Sequence, residues 1–166
     1  YADHEDDARV LASALTGNSK GAFHCETSDS VDAGDARLGG NGLTPRAEAV
    51  RREAVAVFGE LSLGGFAPGG GSSGHMEGST HYDGRAVDIF FRPVTGANKV
   101  RGWAVASYLA AQAERLQIQT IIFDDRIWTA RRADEGWRDY DAPRNDDPAT
   151  QAILEHRDHI HVDVYP

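Results

Sequence analysis

The sequence predicts an α+β domain, in which an antiparallel sheet carries helices on one face. Two segments, 45–61 and 96–116, repeat apolar residues at helical spacing, and two others, 85–91 and 159–165, alternate apolar and polar residues. Helices and strands do not alternate regularly along the chain, and there is no glycine fingerprint for phosphate binding. These features favour an antiparallel architecture over a doubly wound parallel sheet.

Two helices are predicted in the N-terminal part of the chain. Residues 4–16 combine an acidic start with apolar residues, which predicts a helix within an N-terminal extension of residues 1–20. Residues 21–27 are a candidate strand. Thr44 is a hydroxyl N-cap and Pro45 suits the first helical position, so a second helix begins there. Its apolar stripe comprises Ala47, Val50, Ala54, Val57, Phe58 and Leu61.

The second half of the chain is predicted to add one long helix and several strands. Residues 118–123 indicate a buried strand, and residues 159–165 alternate along a strand that directs one set of side chains into the core. That core set is Ile160, Val162 and Val164, and the opposite set is His159, His161 and Asp163. The apolar face predicted for the helix at 96–116 is Val100, Trp103, Ala104, Tyr108 and Ala111.

Residues 21–166 are predicted to form a single domain with an insertion at about 125–155. Within the insertion, residues 128–148 are polar and irregular, which indicates a surface loop anchored by Trp128. The length of 166 residues and the 40% apolar content suffice for one hydrophobic core without disulfides. Cys25 is the only cysteine and is interpreted as a small buried residue, not a nucleophile.

Composition limits the classes of partner. The formal charge is −9, from 26 acidic and 17 basic residues, which disfavours a nucleic-acid partner because binding to phosphates needs clustered Lys and Arg. No apolar run is long enough to cross a bilayer, so no transmembrane segment is predicted. We expect a monomer, and we expect that a chain beginning at Tyr1 is a processed or trimmed form.

Histidines are concentrated in two clusters. Five of the seven lie there: His75 and His81 in the first, and His156, His159 and His161 in the second. Period-two geometry places His159 and His161 on one face of a strand, and a loop-to-strand hook can bring His81 and Asp88 to the same ion. Imidazoles with a carboxylate and one open position are the ligand set of catalytic zinc, whereas calcium and magnesium prefer oxygen ligands. The sequence therefore predicts one mononuclear zinc site.

The two clusters also carry a family resemblance. Residues 79–88 read Ser-Thr-His-Tyr-Asp-Gly-Arg-Ala-Val-Asp and match the pattern S-x-H-x-x-G-R-A-x-D, and His159-Ile160-His161 matches H-x-H. These are the motifs of the LAS metallopeptidases, a group that joins lysostaphin-type peptidases, D-Ala-D-Ala carboxypeptidases and the hedgehog signalling domain. Among these proteins, the hedgehog domain has the motif sequences most similar to those of this chain. The resemblance runs from about residue 62 to 164 and implies a hedgehog-like or D-Ala-D-Ala peptidase-like fold.

Carried over to this chain, the resemblance implies roles for individual residues. His81, Asp88 and His161 would be the zinc ligands. His159 would be an active-site imidazole beside the metal that hydrogen-bonds substrate or oxyanion. His75 would be a second active-site histidine, with an ordinary loop histidine as the alternative.

The resemblance leaves the general base open among three acids. Asp158 lies three positions before the last zinc ligand, as in the carboxypeptidases, and is our first choice. Glu155 is suggested by spacing and Asp124 by alignment with the hedgehog domain. Arg85, inside the first motif, is predicted to bind a substrate carboxylate, or alternatively to hydrogen-bond carbonyl groups of the sheet.

The leading functional hypothesis is a zinc metallopeptidase that hydrolyses an amide bond in peptidoglycan peptides. One alternative is a non-catalytic, hedgehog-like zinc domain that binds a protein or cell-wall ligand. Another is a zinc phosphodiesterase or esterase, because Arg126, Arg131 and Arg132 form a local basic rim. The substrate class and the missing initiator Met lead us to expect a secreted or cell-envelope protein of bacterial origin.

Overall fold

The computed structural model describes residues 34–166, and within them it confirms the α+β class. Six antiparallel strands form one sheet, in the order β1-β2-β6-β3-β4-β5. The helix and strand predicted at residues 4–16 and 21–27, and the extension of residues 1–20, lie outside the described residues. Among the described helices, none is both long and apolar enough to cross a bilayer.

The elements follow one another in a mixed order. The helices are α1 (Pro45–Phe58), α2 (Gly96–Ala111), α3 (Ala113–Leu116) and α4 (Pro148–Leu154), with a 3₁₀ helix over Ala130–Glu135. The strands are β1 (Ser62–Gly64), β2 (Ala86–Phe90), β3 (Ile118–Phe123), β4 (Arg126–Thr129), β5 (Arg138–Asp139) and β6 (His159–Val164).

Helix α1 begins where the sequence predicted. The Thr44 hydroxyl accepts a hydrogen bond from the Ala47 amide, and Pro45 occupies the first turn. The helix ends at Gly59, so Leu61 lies beyond it. Of the predicted stripe, Ala47, Val50 and Ala54 are buried, whereas Val57 is exposed.

The predicted apolar face of α2 is wrong at three of its five positions, while Trp103 and Tyr108 pack against the core. Val100 is 71% exposed, Ala104 and Ala111 are exposed, and Trp103 and Tyr108 are only partly buried. The face that packs into the core instead comprises Gly102, Val105, Ala106 and Leu109. Gly102 lies so close to the ring of Phe123 that a Cβ atom there would meet it at 2.3 Å. Small residues let the helix approach the sheet, so side-chain size alone indicated the wrong face.

The sheet has one core face and one outer face. Ile160, Val162 and Val164 of β6 are buried in the core, which confirms the predicted alternation. Residues directly opposite in an antiparallel pair share a face. Five residues of successive strands therefore form one line across the outer face, which we call the central row: Asp88, His161, Ile122, Ile127 and Arg138.

The region predicted as an irregular surface loop, residues 128–148, contains parts of two short strands of the sheet, whereas residues 140–147 are irregular as predicted. Strand β4 pairs with β3, and β5 pairs with β4, so Trp128 is a core residue of a strand and not the anchor of a loop. Asp124 and Asp125 both have positive φ and form a two-residue connection between β3 and β4. Such a connection is typical of a tight hairpin, and Asp tolerates this backbone conformation.

Candidate metal centre

Three of the predicted ligands converge on the outer face of the sheet. Asp88 of β2 and His161 of β6 are direct cross-strand partners, and His81 reaches them from the loop before β2. His81 Nε2 lies 3.0 Å from His161 Nδ1 and 3.2 Å from Asp88 Oδ1, and the last two atoms are 3.2 Å apart. His81 and Asp88 are buried, so this triangle is shielded from bulk water.

The spacing of these atoms fits a tetrahedral metal ion. Bonds of 2.0–2.1 Å at tetrahedral angles separate the ligand atoms of zinc by about 3.3 Å. His75 adds a further nitrogen, because His75, His81 and Asp88 each offer one ligand atom within 4.8 Å of the others. The cluster could therefore hold a metal ion.

Hydrogen bonds behind the ligands fix which ring nitrogen carries the proton. His81 Nδ1 lies 2.7 Å from the Gly65 carbonyl, and His161 Nε2 lies 2.8 Å from Asp163 Oδ1. A carbonyl and a carboxylate only accept, so both ring nitrogens donate to them. His81 Nε2 and His161 Nδ1 consequently face Asp88 across the triangle, where each nitrogen either donates a proton to that carboxylate or, once deprotonated, offers a lone pair to a metal ion. Supporting acceptors of this kind orient histidine ligands in metal sites.

The same site attracts positive charge. Burial tends to lower the pKa of His161, but its hydrogen bonds to Asp163 and Asp88 raise the pKa to about 10. Burial tends to raise the pKa of Asp88, yet hydrogen bonds from His161 and His81 hold that pKa well below its usual range. Two ionised carboxylates thus favour a cation at His161, either a proton or a metal ion.

Two further imidazoles border the triangle. His159 Nδ1 lies 2.7 Å from Asp158 Oδ1, and His159 Nε2 lies 3.9 Å from Asp88 Oδ1. His156 donates from Nδ1 to the Leu154 carbonyl at 2.9 Å. Burial and the neighbouring histidines lower the pKa of His156 to about 3, so this ring stays neutral.

His75 lies on the glycine-rich loop at the entrance. Its ring stacks on His81, with ring centroids 3.8 Å apart. Tyr82 holds the loop, because its hydroxyl donates to the His75 carbonyl and accepts from the His75 amide. Burial and the charge of His81 lower the pKa of His75.

A pocket of about 300 Å³ opens above the cluster. One wall is the loop that carries His75 and Glu77. The opposite wall is largely apolar and comprises Ile122, Tyr140, Pro143, Ile153 and Leu154. The segment predicted as an insertion therefore supplies most of this apolar wall, and α4 borders the outer face of the sheet.

The three acids predicted as general base do not line this pocket. Asp158 is buried and bonded to His159 and to Arg92 Nε at 2.6 Å. Glu155 pairs with Arg157 and with Gln151. Asp124 forms an ion pair with Lys99 at 2.6 Å. All three carboxylates are engaged elsewhere.

Arg85 also lies away from the pocket lining. Its Nη1 donates to the Val164 carbonyl at 3.1 Å, and its Nη2 donates to Asp83 Oδ2 at 3.1 Å. The hydrogen bond to Val164 agrees with the second of the two roles considered from the sequence, in which Arg85 bonds to carbonyl groups of the sheet. The observed contacts make Arg85 a brace between β2 and the end of β6.

Sequence reasoning assigned no role to several residues of the centre. Asp163 follows His161 by two positions on one strand face, so the alternation was a signal for it. His156 was part of the second cluster but had no predicted role. Gly65 and Tyr140 lie outside both motifs, and only folding brings them to the pocket.

The fold and the cluster define an α+β domain with a histidine-rich candidate metal centre. The family described as "VldE, C-terminal domain" matches residues 39–152, which is more than half of the chain. The chain therefore belongs to the VldE C-terminal domain family. The match includes His81 and Asp88 and ends before β6.

No curated protein and no solved structure matches the chain at a significant level. The resemblance to LAS metallopeptidases rests on the two motifs and stays a prediction.

Proposed function

We propose that the chain is a zinc-dependent hydrolase that cleaves an amide bond in peptides, with peptidoglycan peptides as the substrate class. The observation that carries the proposal is the triangle of His81 Nε2, Asp88 Oδ1 and His161 Nδ1, with edges of 3.0–3.2 Å. Three protein ligands are typical of catalytic zinc, which keeps a fourth position open, whereas structural zinc is closed by four.

These three residues would hold the ion, and the pocket above them would hold the substrate. When bound, zinc supplies Lewis acidity, which polarises a carbonyl group and lowers the pKa of a water molecule. The Asp88 carboxylate offsets part of the metal charge. The Gly65 carbonyl and Asp163 keep both imidazoles in the tautomers that ligation needs.

His159 is the residue best arranged to accept a proton from the attacking water. It lies on the pocket, and its Nδ1 proton is engaged by Asp158, so its Nε2 carries the lone pair. Once protonated at Nε2, the ring is stabilised by the Asp158 carboxylate and can pass the proton to the departing amine nitrogen. Asp158, our first choice from the sequence, thus becomes the residue that positions the base.

The ligand assignment is tested by metal content. We expect His81→Ala and Asp88→Ala to lower zinc retention at least tenfold, because each removes one corner of the triangle. Asp83→Ala is the matched control, since Asp83 is an exposed carboxylate in the same loop. Elemental analysis after dialysis measures the zinc. Unchanged zinc in both ligand variants contradicts the proposed site.

The role of His159 is tested by kinetics at full zinc occupancy. We expect His159→Gln to lower kcat for muropeptide hydrolysis by about 10²–10⁴-fold, the usual contribution of a general base. Asp158→Asn should lower kcat less, since it only misorients the ring. Zinc content should stay at one ion per chain in both variants. A kcat equal to that of the unchanged protein would remove His159 from the mechanism.

A second function is a zinc domain that recognises a partner without catalysis. It is favoured by the finding that none of the three predicted acidic bases lines the pocket. Incubation of the zinc-loaded protein with muropeptides, D-Ala-D-Ala peptides and folded proteins separates the two functions. New amines detected by mass spectrometry support the hydrolase. Their absence from all three substrate classes supports the recognition domain.

A further inference from the structure

A second cleft lies on the outer face of the sheet, beside the metal centre. It encloses about 600 Å³ and is rich in hydrogen-bond donors. Its polar lining includes Thr120, Thr129, Arg131, Arg132 and Arg138. Nothing in the proposed reaction uses these residues.

The central row connects the cleft to the metal centre. His161 pairs with Ile122, which lines the metal pocket, and Ile122 pairs with Ile127, which lines the cleft. Arg138 follows on β5, opposite Ile127. Neighbouring strands are 4.7–4.9 Å apart, so three strand spacings separate β6 from β5 by about 14 Å. The two isoleucines form an apolar bridge between the two binding regions.

The chemistry of the cleft is complementary to an anion. Arg138 donates from Nη2 to Thr129 Oγ1 at 2.9 Å and from Nη1 to the carbonyls of Arg132 and Gly136. These contacts fix the guanidinium against the cleft wall. Asp139, the one acid in the lining, pairs with Arg126 at 2.5 Å.

This local charge contrasts with the rest of the protein. Three arginines line one cleft of a chain whose formal charge is −9, and one of them, Arg132, forms an ion pair with Glu135, which lies outside the lining. The lining of the metal pocket, among the described residues 34–166, includes neither Lys nor Arg. The arginines that could bind a substrate anion therefore line the cleft, whereas in the metal pocket a bound ion would be the main cationic group.

We propose that the cleft is a subsite for a carboxylate of the same substrate, which Arg138 would bind three strand spacings, or about 14 Å, from His161 of the metal centre. Guanidinium forks bind carboxylate and phosphate alike. A phosphodiester would place its phosphorus at the metal, however, and the distance excludes the cleft as the site of that reaction. The inference rests on the proposed function, because it assumes that one substrate occupies both regions.

Binding alone is tested with glutarate, a dicarboxylate that the protein cannot hydrolyse. Titration of the zinc-loaded protein should shift the backbone amide NMR signals of Thr129 and Arg138. The shifts should weaken at least fivefold in Arg131→Gln and in Arg138→Gln. Arg101→Gln is the matched control, because this exposed arginine lies on α2, on the core side of the sheet. Equal shifts in all variants, or shifts spread over the surface, overturn the inference.

Catalysis is tested with a stem peptide that has free carboxylates and with its fully amidated counterpart. We expect Arg131→Gln and Arg138→Gln to raise KM about tenfold for the acidic peptide, with little change in kcat, and to leave the amidated peptide unaffected. Arg131→Gln serves as the second variant if loss of the Arg138 contacts impairs folding. The phosphodiester bis(p-nitrophenyl) phosphate is the comparison substrate. If the protein hydrolyses it as fast as the acidic peptide, the anionic group that the protein recognises is the reacting phosphate and not a distal carboxylate.

The outcomes separate the two proposals. Glutarate binding in the cleft without hydrolysis of any peptide contradicts the hydrolase and the shared substrate, but it leaves the cleft as an anion site. Hydrolysis of both peptides with equal KM in every variant contradicts the subsite and leaves the hydrolase intact.

Discussion

Gly65 supports the metal centre without a side chain. Its carbonyl accepts the Nδ1 proton of His81, and its backbone has a φ of 80°. A Cβ atom at this position would lie 2.2 Å from His81 Cε1 and 2.9 Å from Asp88 Oδ2. The absence of a side chain at Gly65 therefore keeps space for two of the three proposed ligands.

We predict that Gly65→Ala lowers zinc affinity about 10–100-fold, because the methyl group displaces the His81 ring. Gly59→Ala is a matched control. Gly59 has a φ of 78°, and a Cβ atom there meets no other atom within 4 Å. Both glycines have a φ near 80°, which disfavours any side chain, but only at Gly65 would the added methyl group meet His81 and Asp88, so only Gly65→Ala should lose metal in competition titrations with a chromogenic chelator. Equal zinc affinities in the two variants would show that the His81 ring does not depend on the space left by the missing side chain of Gly65.

Asp163 acts on the centre through His161. It accepts the Nε2 proton of His161 and a hydrogen bond from the Thr80 hydroxyl. We predict that Asp163→Asn lowers zinc affinity about tenfold, because an amide stabilises the metal-bearing imidazole less than a carboxylate does. The chelator titration measures the affinity, and Asp139→Asn, an exposed acid on β5, should match the unchanged protein. An Asp163→Asn protein with undiminished affinity would contradict a supporting role.

At the scale of single elements, the N-terminus of α1 depends on Glu48. Arg51 and Arg52 donate to its carboxylate at 2.7–2.8 Å, and Asn41 donates at 2.8 Å. The hydrogen bond from Arg51 outweighs the effect of burial and, with those from Arg52 and Asn41, lowers the pKa of Glu48 to about 2. A carboxylate in the first turn is also favoured by the helix dipole.

We predict that Glu48→Gln lowers the free energy of unfolding by about 1 kcal/mol at pH 7. A lowered folded-state pKa contributes stability above the usual pKa of Glu, 4.5, and loses it as the pH falls toward about 2. Urea unfolding at a series of pH values should therefore show the difference between the two proteins vanishing in that window. Glu60→Gln, an exposed glutamate after α1, is the control. A difference that stays constant with pH would contradict the assignment.

The elements that the sequence predicted well have a strong local signal. Alternation along β6 and the Thr44-Pro45 start of α1 depend on backbone geometry over a few residues. The face of α2 depends on its partner, since Gly102 and Ala106 pack closely while Val100 is exposed. Strand β4, which contains Trp128, was not predicted, because the amino-acid composition of this segment does not indicate that it pairs with β3.

At the scale of the whole molecule, the centre unites segments that are distant in sequence. The two motifs predicted that His81, Asp88 and His161 come together, and they do so because β2 and β6 are adjacent and Asp88 faces His161. The supporting groups depend on long-range contacts and carry no motif. The resemblance to carboxypeptidases placed the base first at Asp158, but alternation along the chain turns this side chain away from the pocket that His159 faces.

If an ion binds as proposed, this arrangement would couple metal binding to stability. Gly65, His81, Asp88 and His161 come from four separate segments, so an ion that binds the three ligands also ties these segments together. A ligand at a thousand times its Kd stabilises the folded state by about 4 kcal/mol, which corresponds to about 10 °C in Tm for a chain of this size.

We therefore predict that a chelator lowers Tm by about 10 °C in differential scanning calorimetry and that added zinc restores it. His81→Ala should not respond to either treatment, whereas Gly59→Ala should respond like the unchanged protein. If neither zinc nor the chelator changes the Tm, then no ion joins β2, β6 and the loop before β2. The hydrolytic chemistry proposed for this face of the sheet would then have no metal to depend on.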